Sequence, residues 1–283
     1  MKVLVTGAGG QLGADVVAHC LAAGDEVFAA DRAGLDITDR SAVRKIVAGA
    51  RPDAVINTAA YTAVDACETN VDHATAVNAT AVRSIAEACD EIGARLVHVS
   101  TDYVFDGTLD RPYREDDATN PRSVYGKTKL AGELAAGSDA AIARTSWVCG
   151  AHGNNMVKLV LRLAEETTEL AFVDDQRGCP TFTADLAPAL RRLAFDRRSG
   201  IHHLTNQRAV SWYEFVREIL DVAGYEPDHV RPISTSDLDP PRPAPRPANS
   251  ALDNAVWRDA GLPMLRDFRA PLAELVVELK SRL

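Results

Sequence analysis

Short, almost wholly apolar runs alternate with longer stretches of helical periodicity through the first 150 residues. KVLVTGA (2–8) reads as a strand and QLGADVVAHCLAAG (11–24) as a helix stopped at Gly24. EVFAADR (26–32) is a second strand, SAVRKIVAGA (41–50) a helix and DAVINTAA (53–60) a third strand. The longer helix NATAVRSIAEACDEIG (78–93) and the strand RLVHVSTD (95–102) continue the alternation. Strands apolar on both faces and joined by helices are what a parallel sheet covered on both sides requires. The predicted fold class is therefore α/β, a Rossmann-type doubly wound parallel sheet. After Trp147 the pattern loosens. NNMVKLVLRLAEE (154–166), ADLAPALRRLAF (184–195) and SWYEFVREILDVAG (211–224) read as helices, and GIHHLTN (200–206) as a strand. DPPRPAPRP (239–247) excludes regular structure, because proline removes donors and biases its neighbours away from helix. It reads as a linker, a surface loop or a loop lining a ligand cleft, where Arg242 and Arg246 are available to an anion.

Composition narrows the class of partner. The chain has 283 residues, 46% hydrophobic and 25% charged, ordinary for a soluble globular protein with a sizeable core. A net charge of -9 argues against nonspecific nucleic-acid binding and gives no reason to expect an acidic membrane surface as partner. MKVLVTGAGG lacks the apolar run of a secretory signal, and no segment approaches the roughly 18 apolar residues of a membrane span. Cys20, Cys67, Cys89, Cys149 and Cys179 are scattered and odd in number, so a reduced compartment, the cytoplasm, is expected. The histidines show no zinc-binding spacing, and no metal held by protein ligands is predicted.

Four stretches carry chemistry. TGAGGQLG (6–13) lies between the first strand and first helix, with Gly7, Gly10 and Gly13 three apart. A glycine-rich turn there lets the backbone approach a pyrophosphate, while the helix N-terminus supplies N–H groups and a favourable dipole. The second strand ends in Asp31-Arg32. An acidic residue at that place accepts the adenosine ribose hydroxyls of NAD, and an arginine accommodates the 2′-phosphate of NADP, so the preference stays open. In SVYGKTKLAGE (123–133), Tyr125 and Lys129 are four apart and share a helix face, whereas Lys127 looks away. Hydride delivery to a ketone leaves an alkoxide that needs a proton, and a tyrosine whose pKa a lysine cation lowers is a suitable acid. HVSTDYVF adds Ser100 and Thr101 at the C-terminal end of a parallel strand, where a hydroxyl can donate to the carbonyl oxygen.

TGAGGQLG, NTAAYTAVD, VNAT, STDYVFDG, VYGKTKLAGE, RTSWV, DDQRGCPT and RPANSAL together resemble the dTDP-4-dehydrorhamnose reductase family of extended short-chain dehydrogenase/reductases, from residue 3 to about residue 253. The resemblance implies an NAD(P)-binding Rossmann domain over 1–150 and a smaller, mainly substrate-binding α/β domain over 151–283. Of the latter, about 183–206 is expected to pack back on the first. It implies Tyr125 as general acid, Lys129 as the residue binding nicotinamide ribose, and Thr101 as donor to the reacting carbonyl. Gly7, Gly10, Gln11, Leu12 and Gly13 match the pyrophosphate loop, Asp31 and Arg32 the ribose end, and Asp36 and Ile37 the adenine edge. Ala59, Ala60 and Tyr61 match the loop beside the cofactor, which Val99 also borders. Thr101, Asp102 and Trp147 match substrate-contacting positions, and Arg246 is a candidate for the nucleotide diphosphate. Asn78 resembles a structural asparagine.

The implied reaction is reduction of the C4 ketone of dTDP-4-dehydro-β-L-rhamnose by NADPH or NADH, in a monomer or homodimer. Some relatives hold magnesium at a dimer contact; Asp15 sits near the matching place, but the sequence supplies no complete Mg2+ site. Another dTDP-4-keto-6-deoxyhexose reductase, or a nucleotide-sugar epimerase or 4,6-dehydratase, is an alternative enzyme. Dehydratases place Asp-Glu directly after the threonine, and Thr101-Asp102-Tyr103 lacks that glutamate. A non-catalytic regulatory subunit resembling the methionine adenosyltransferase β subunit is the rival from another class; an intact Thr101, Tyr125 and Lys129 set favours the enzyme.

Overall fold

A computed structural model describes residues 1–167 and 169–281. Six parallel strands form the central sheet: β1 (Lys2–Thr6), β2 (Glu26–Ala30), β3 (Ala54–Asn57), β4 (Arg95–Thr101), β5 (Ala141–Thr145) and β6 (Gly200–His203). Their order is β2-β1-β3-β4-β5-β6, so the direction of winding reverses beside β1. Alternation along the strands loads both faces with apolar side chains. Val3 and Val5 of β1 join Leu12, Val16 and Cys20 of α1 (Gln11–Ala22) and Leu186, Leu190 and Leu193 of a later helix, Thr183–Phe195. Leu4 points to the opposite face, against Val43 and Val47 of α2 (Arg40–Ala50) and Val82 and Ile85 of α3 (Ala81–Ile92). Helix boundaries follow local chemistry. Asp39 caps α2 by accepting from the Ser41 and Ala42 amides, and Gly93 ends α3 in a left-handed conformation.

The strand β5 is not apparent from the hydropathy pattern, because its sequence, AIART, places a charged residue in the sheet interior. Arg144 is buried there through a bidentate pair with Glu133, at 2.9 and 2.7 Å. Glu133 lies on α4 (Val124–Ala135) and also accepts from Ser100 at 2.5 Å.

A second core is built by α5 (Met156–Glu166), α7 (Trp212–Ala223) and α8 (Arg269–Lys280), with Val157, Val160, Phe215, Ile219, Phe268 and Leu272 inside. Between them the chain returns to the sheet. The helix Thr183–Phe195, here α6, packs on α1, and β6 extends the sheet beside β5. Residues 239–247 form neither helix nor strand. No helix among the described residues is long and apolar enough to cross a membrane.

Candidate active site

The cleft lies at the C-terminal ends of β1 to β4, where an open parallel sheet binds ligands at its point of reversal. The turn after β1 needs glycine for steric reasons. Gly7 has φ +71°, and a Cβ there would lie 2.7 Å from the Ala59 nitrogen; one on Gly13 would overlap the Gly7 carbonyl oxygen. This close approach leaves a cavity of about 500 Å³ beside the turn. Gly7, Gly10, Asp31, Arg32, Asp36, Ile37, Ala59, Ala60 and Tyr61 all line it. Sequence reasoning missed Gly9, Thr38, Thr58 and His73, which line it too. His73 was recoverable only through its edge-on packing against Tyr61, with centroids 4.8 Å apart. Asp36 is held below the usual carboxylate range by the Thr38 hydroxyl and amide.

Two expected loop residues do not turn their side chains to this cavity. Leu12 is buried in the core, and Gln11 bridges to the second half of the molecule, donating to Val148 O and accepting from Asn155 Nδ2, both at 2.8 Å. Only their backbone amides are left for a pyrophosphate. The residues present fit a dinucleotide: an uncluttered glycine turn at a helix N-terminus, with Asp31 and Arg32 at its far end.

Deeper in the cleft, Ser123 starts α4 by accepting the Gly126 amide at 3.1 Å, which sets Tyr125 in the first turn. Tyr125 and Lys129 are both buried and Lys127 is exposed, so the helix face sorts the two lysines. Tyr125 interacts with the Thr101 hydroxyl. Burial pushes its phenol upward, the reverse of the depression expected from Lys129, with the Thr101 hydrogen bond opposing the rise. Burial pulls the Lys129 ammonium down to about 8, against the attraction of Glu133.

Lys129 Nζ donates to the Val99 carbonyl at 2.6 Å and lies 3.5 Å from His98 Nε2. Behind it runs a buried polar chain that sequence reasoning missed. Asn57 Oδ1 accepts from Thr6 and from the Ala59 amide, at 2.7 and 3.2 Å, so its Nδ2 donates to His98 Nδ1 at 3.0 Å. That leaves the ring proton on Nε2, facing Lys129. No motif marks this chain in sequence, since its members sit on three strands. Asn78 fixes the cofactor-side loop, accepting the Tyr61 amide at 2.8 Å and donating to Tyr61 O and Thr128 at 3.0 and 3.2 Å.

Asp102 is fully enclosed beside Thr101, whose hydroxyl donates to its Oδ1 at 3.0 Å. Burial raises its carboxyl to about 6, and Oδ2 has no hydrogen-bond partner among the described residues. Trp147 adopts φ +47° and stacks on Trp212, another residue the sequence did not single out, with centroids 3.5 Å apart and 6° between planes. Arg246 is paired with Asp65 rather than free. Asp15 accepts from Thr183 and has His152 at 3.8 Å; the described residues contain no group of three or more side chains able to hold a metal.

The model of the RmlD substrate binding domain matches residues 1–281. The dTDP-4-dehydrorhamnose reductase of Streptomyces griseus is 45% identical over 99% of this chain and 94% of its own. The dTDP-4-keto-6-deoxy-D-glucose reductase of Streptomyces niveus is 39% identical over 96% and 95%. A crystal structure of the Bacillus anthracis dTDP-4-dehydrorhamnose reductase in complex with NADP superposes with a TM-score of 0.93, at 35% identity, over 98% of this chain and 99% of that one. This chain belongs to the RmlD substrate binding domain family.

Proposed function

We propose that this protein is an NAD(P)H-dependent reductase that converts the C4 ketone of dTDP-4-dehydro-β-L-rhamnose to the alcohol, giving dTDP-β-L-rhamnose. The observation that carries the reading is the hydrogen bond between Tyr125 and Thr101 at the C-terminal end of β4, with Lys129 buried on the same helix face, in a fold that also forms the glycine-turn cavity. NADPH or NADH, when bound, supplies the hydride for the carbonyl carbon. The Tyr125 phenol gives its proton to the carbonyl oxygen as negative charge develops there. Its raised pKa keeps that proton in place at neutral pH. Thr101, now donating to Asp102, redirects its hydroxyl to the same oxygen and stabilises the alkoxide. Lys129 binds the nicotinamide ribose, its Nζ set by Val99 O. Arg32 and Asp31 line one cavity, which supports use of either cofactor.

Asp102 and Trp147 contact the sugar, and Arg246 the diphosphate. The protein acts on a soluble nucleotide sugar in the cytoplasm, as a monomer or homodimer. Tyr125→Phe, assayed at the nicotinamide absorbance, is expected to lose about 10²- to 10⁴-fold in turnover while keeping its melting temperature and NADPH affinity. Full turnover in a folded Tyr125→Phe protein would sink the assignment. Likeness to the S. niveus enzyme favours a second substrate, another dTDP-4-keto-6-deoxyhexose. NMR of the product's C4 configuration separates the two.

A further inference from the structure

Asp65 lies on the short helix Val64–Cys67 after β3, and Arg246 lies in the proline-rich segment 239–247. They form a bidentate pair, Arg246 Nη1 to Oδ1 at 2.5 Å and Nη2 to Oδ2 at 2.8 Å. The same carboxylate accepts the Ala244 amide at 3.1 Å and has Arg242 Nη1 at 3.6 Å. One anion thus gathers two guanidinium groups and the backbone of the segment, and the cluster keeps a net positive charge. Its two arginines differ: the Arg246 side chain is 13% exposed and that of Arg242 59%.

The hydrogen-bond inventory of Arg246 leaves capacity for another acceptor. Asp65 and the Ala244 carbonyl, at 2.6 Å, use both hydrogens of Nη1, and Asp65 uses one of Nη2. Nε–H and the second Nη2 hydrogen form the other edge of the fork, and the Tyr103 side chain is a further hydrogen-bonding neighbour of Arg246. Tyr103 in turn meets Tyr125 edge-on, with ring centroids 5.5 Å apart. At the end of the same short helix, Glu68 accepts the Val124 amide at 2.8 Å, at the start of the helix that carries Tyr125. A single turn of chain therefore holds both the arginine segment and the helix of the proposed acid.

We propose that Asp65 is a positioning residue for the diphosphate of the nucleotide sugar: it presets Arg246, with Arg242 beside it, so that the Nε edge receives a phosphate oxygen. This rests on the reading that Arg246 meets the diphosphate. An unpaired arginine on an irregular segment would lose rotamer freedom on binding, and the Asp65 pair removes that loss beforehand.

The test is calorimetric titration of dTDP into the protein saturated with NADP+, together with steady-state kinetics. Asp65→Asn is expected to weaken dTDP about tenfold and to raise KM far more than it lowers kcat, with NADPH affinity unchanged. A dTDP affinity within twofold of the parent, or tighter, overturns the proposal, since Asp65 would then be a mere strap or a competitor for Arg246. Arg246→Ala with unchanged dTDP affinity overturns the diphosphate reading itself. If Asp65→Asn does not fold, Asp65→Glu reads the same point, keeping a charge for Arg246 while displacing the carboxylate by one methylene. Weaker dTDP binding at an unchanged melting temperature supports the proposal, and undiminished binding overturns it.

Discussion

Asp102 holds a buried carboxyl group whose side-chain hydrogen-bond neighbours are Thr101 and Ser250. Its folded-state pKa of about 6 exceeds the ordinary value of 3.8, so folding favours the protonated form. That contribution is complete below about pH 3.8 and is lost as pH rises through about 6. At pH 7.5 the buried carboxyl group is therefore ionised, at a cost that Thr101 and Ser250 offset only in part. Asp102→Asn should raise the melting temperature by a few degrees at pH 7.5 and leave it unchanged near pH 4, while reducing kcat/KM through the proposed sugar contact, which loses one of two acceptor oxygens. Melting curves at both pH values check the sign; an equal gain at both would refute the ionisation account. At this scale the sequence was informative where two residues share a helix face. Tyr125 and Lys129 were readable from their spacing, and so was the outward Lys127. The His98–Asn57–Thr6 chain was not, since it depends on strand order. The Asp65–Arg246 pair was not either, since its members are 181 positions apart.

The helix α4 shows how an element, rather than a residue, fixes the site. It rides close to the turn at Asn78, and a Cβ on Gly132 would overlap the Asn78 carbonyl oxygen. Asn78 itself holds Tyr61 and Thr128, so pushing α4 outward disturbs the cofactor loop and the proposed acid together. Gly132→Ala should cost about 1–3 kcal/mol by overpacking, despite alanine's better helix propensity. Gly49 in α2 faces open space, with nothing within 4 Å of where a Cβ would stand, and Gly49→Ala should stabilise by about 0.5–1 kcal/mol. Urea midpoints of the two variants should move in opposite directions; a shared direction would mean that propensity, not contact, governs α4. Most elements were legible because strands covered on both faces and amphipathic helices leave distinct periods. The strand β5 escaped because Arg144 is neutralised by Glu133, a partner on another element.

Across the whole molecule, the sequence boundary near residue 150 conceals how the halves interlock. The hydropathy pattern showed two regions, and only the family resemblance gave the expectation that about 183–206 packs back on the first, since pairing of β6 with β5 is a long-range contact. Gln11 makes the interlock local to the cofactor turn. Through one amide it joins the first residue of α1 to Val148 and to Asn155. Asn155 in turn caps α5, accepting the Lys158 amide at 3.2 Å, and donates to Gly150 O at 2.8 Å. A ligand seated on the α1 N-terminus is therefore linked through these hydrogen bonds to Val148 and to the start of α5. Gln11→Ala and Asn155→Ala should each cost about 1–2 kcal/mol, and the double variant should cost less than their sum by about 0.5–3 kcal/mol, the coupling of a direct contact. Heat should reveal the same coupling in function. In the parent, NADP+ should strengthen dTDP binding, and in Gln11→Ala that enhancement should shrink while each ligand still binds alone. Calorimetric titrations of dTDP with and without NADP+ measure it, and an undiminished enhancement would place the coupling elsewhere.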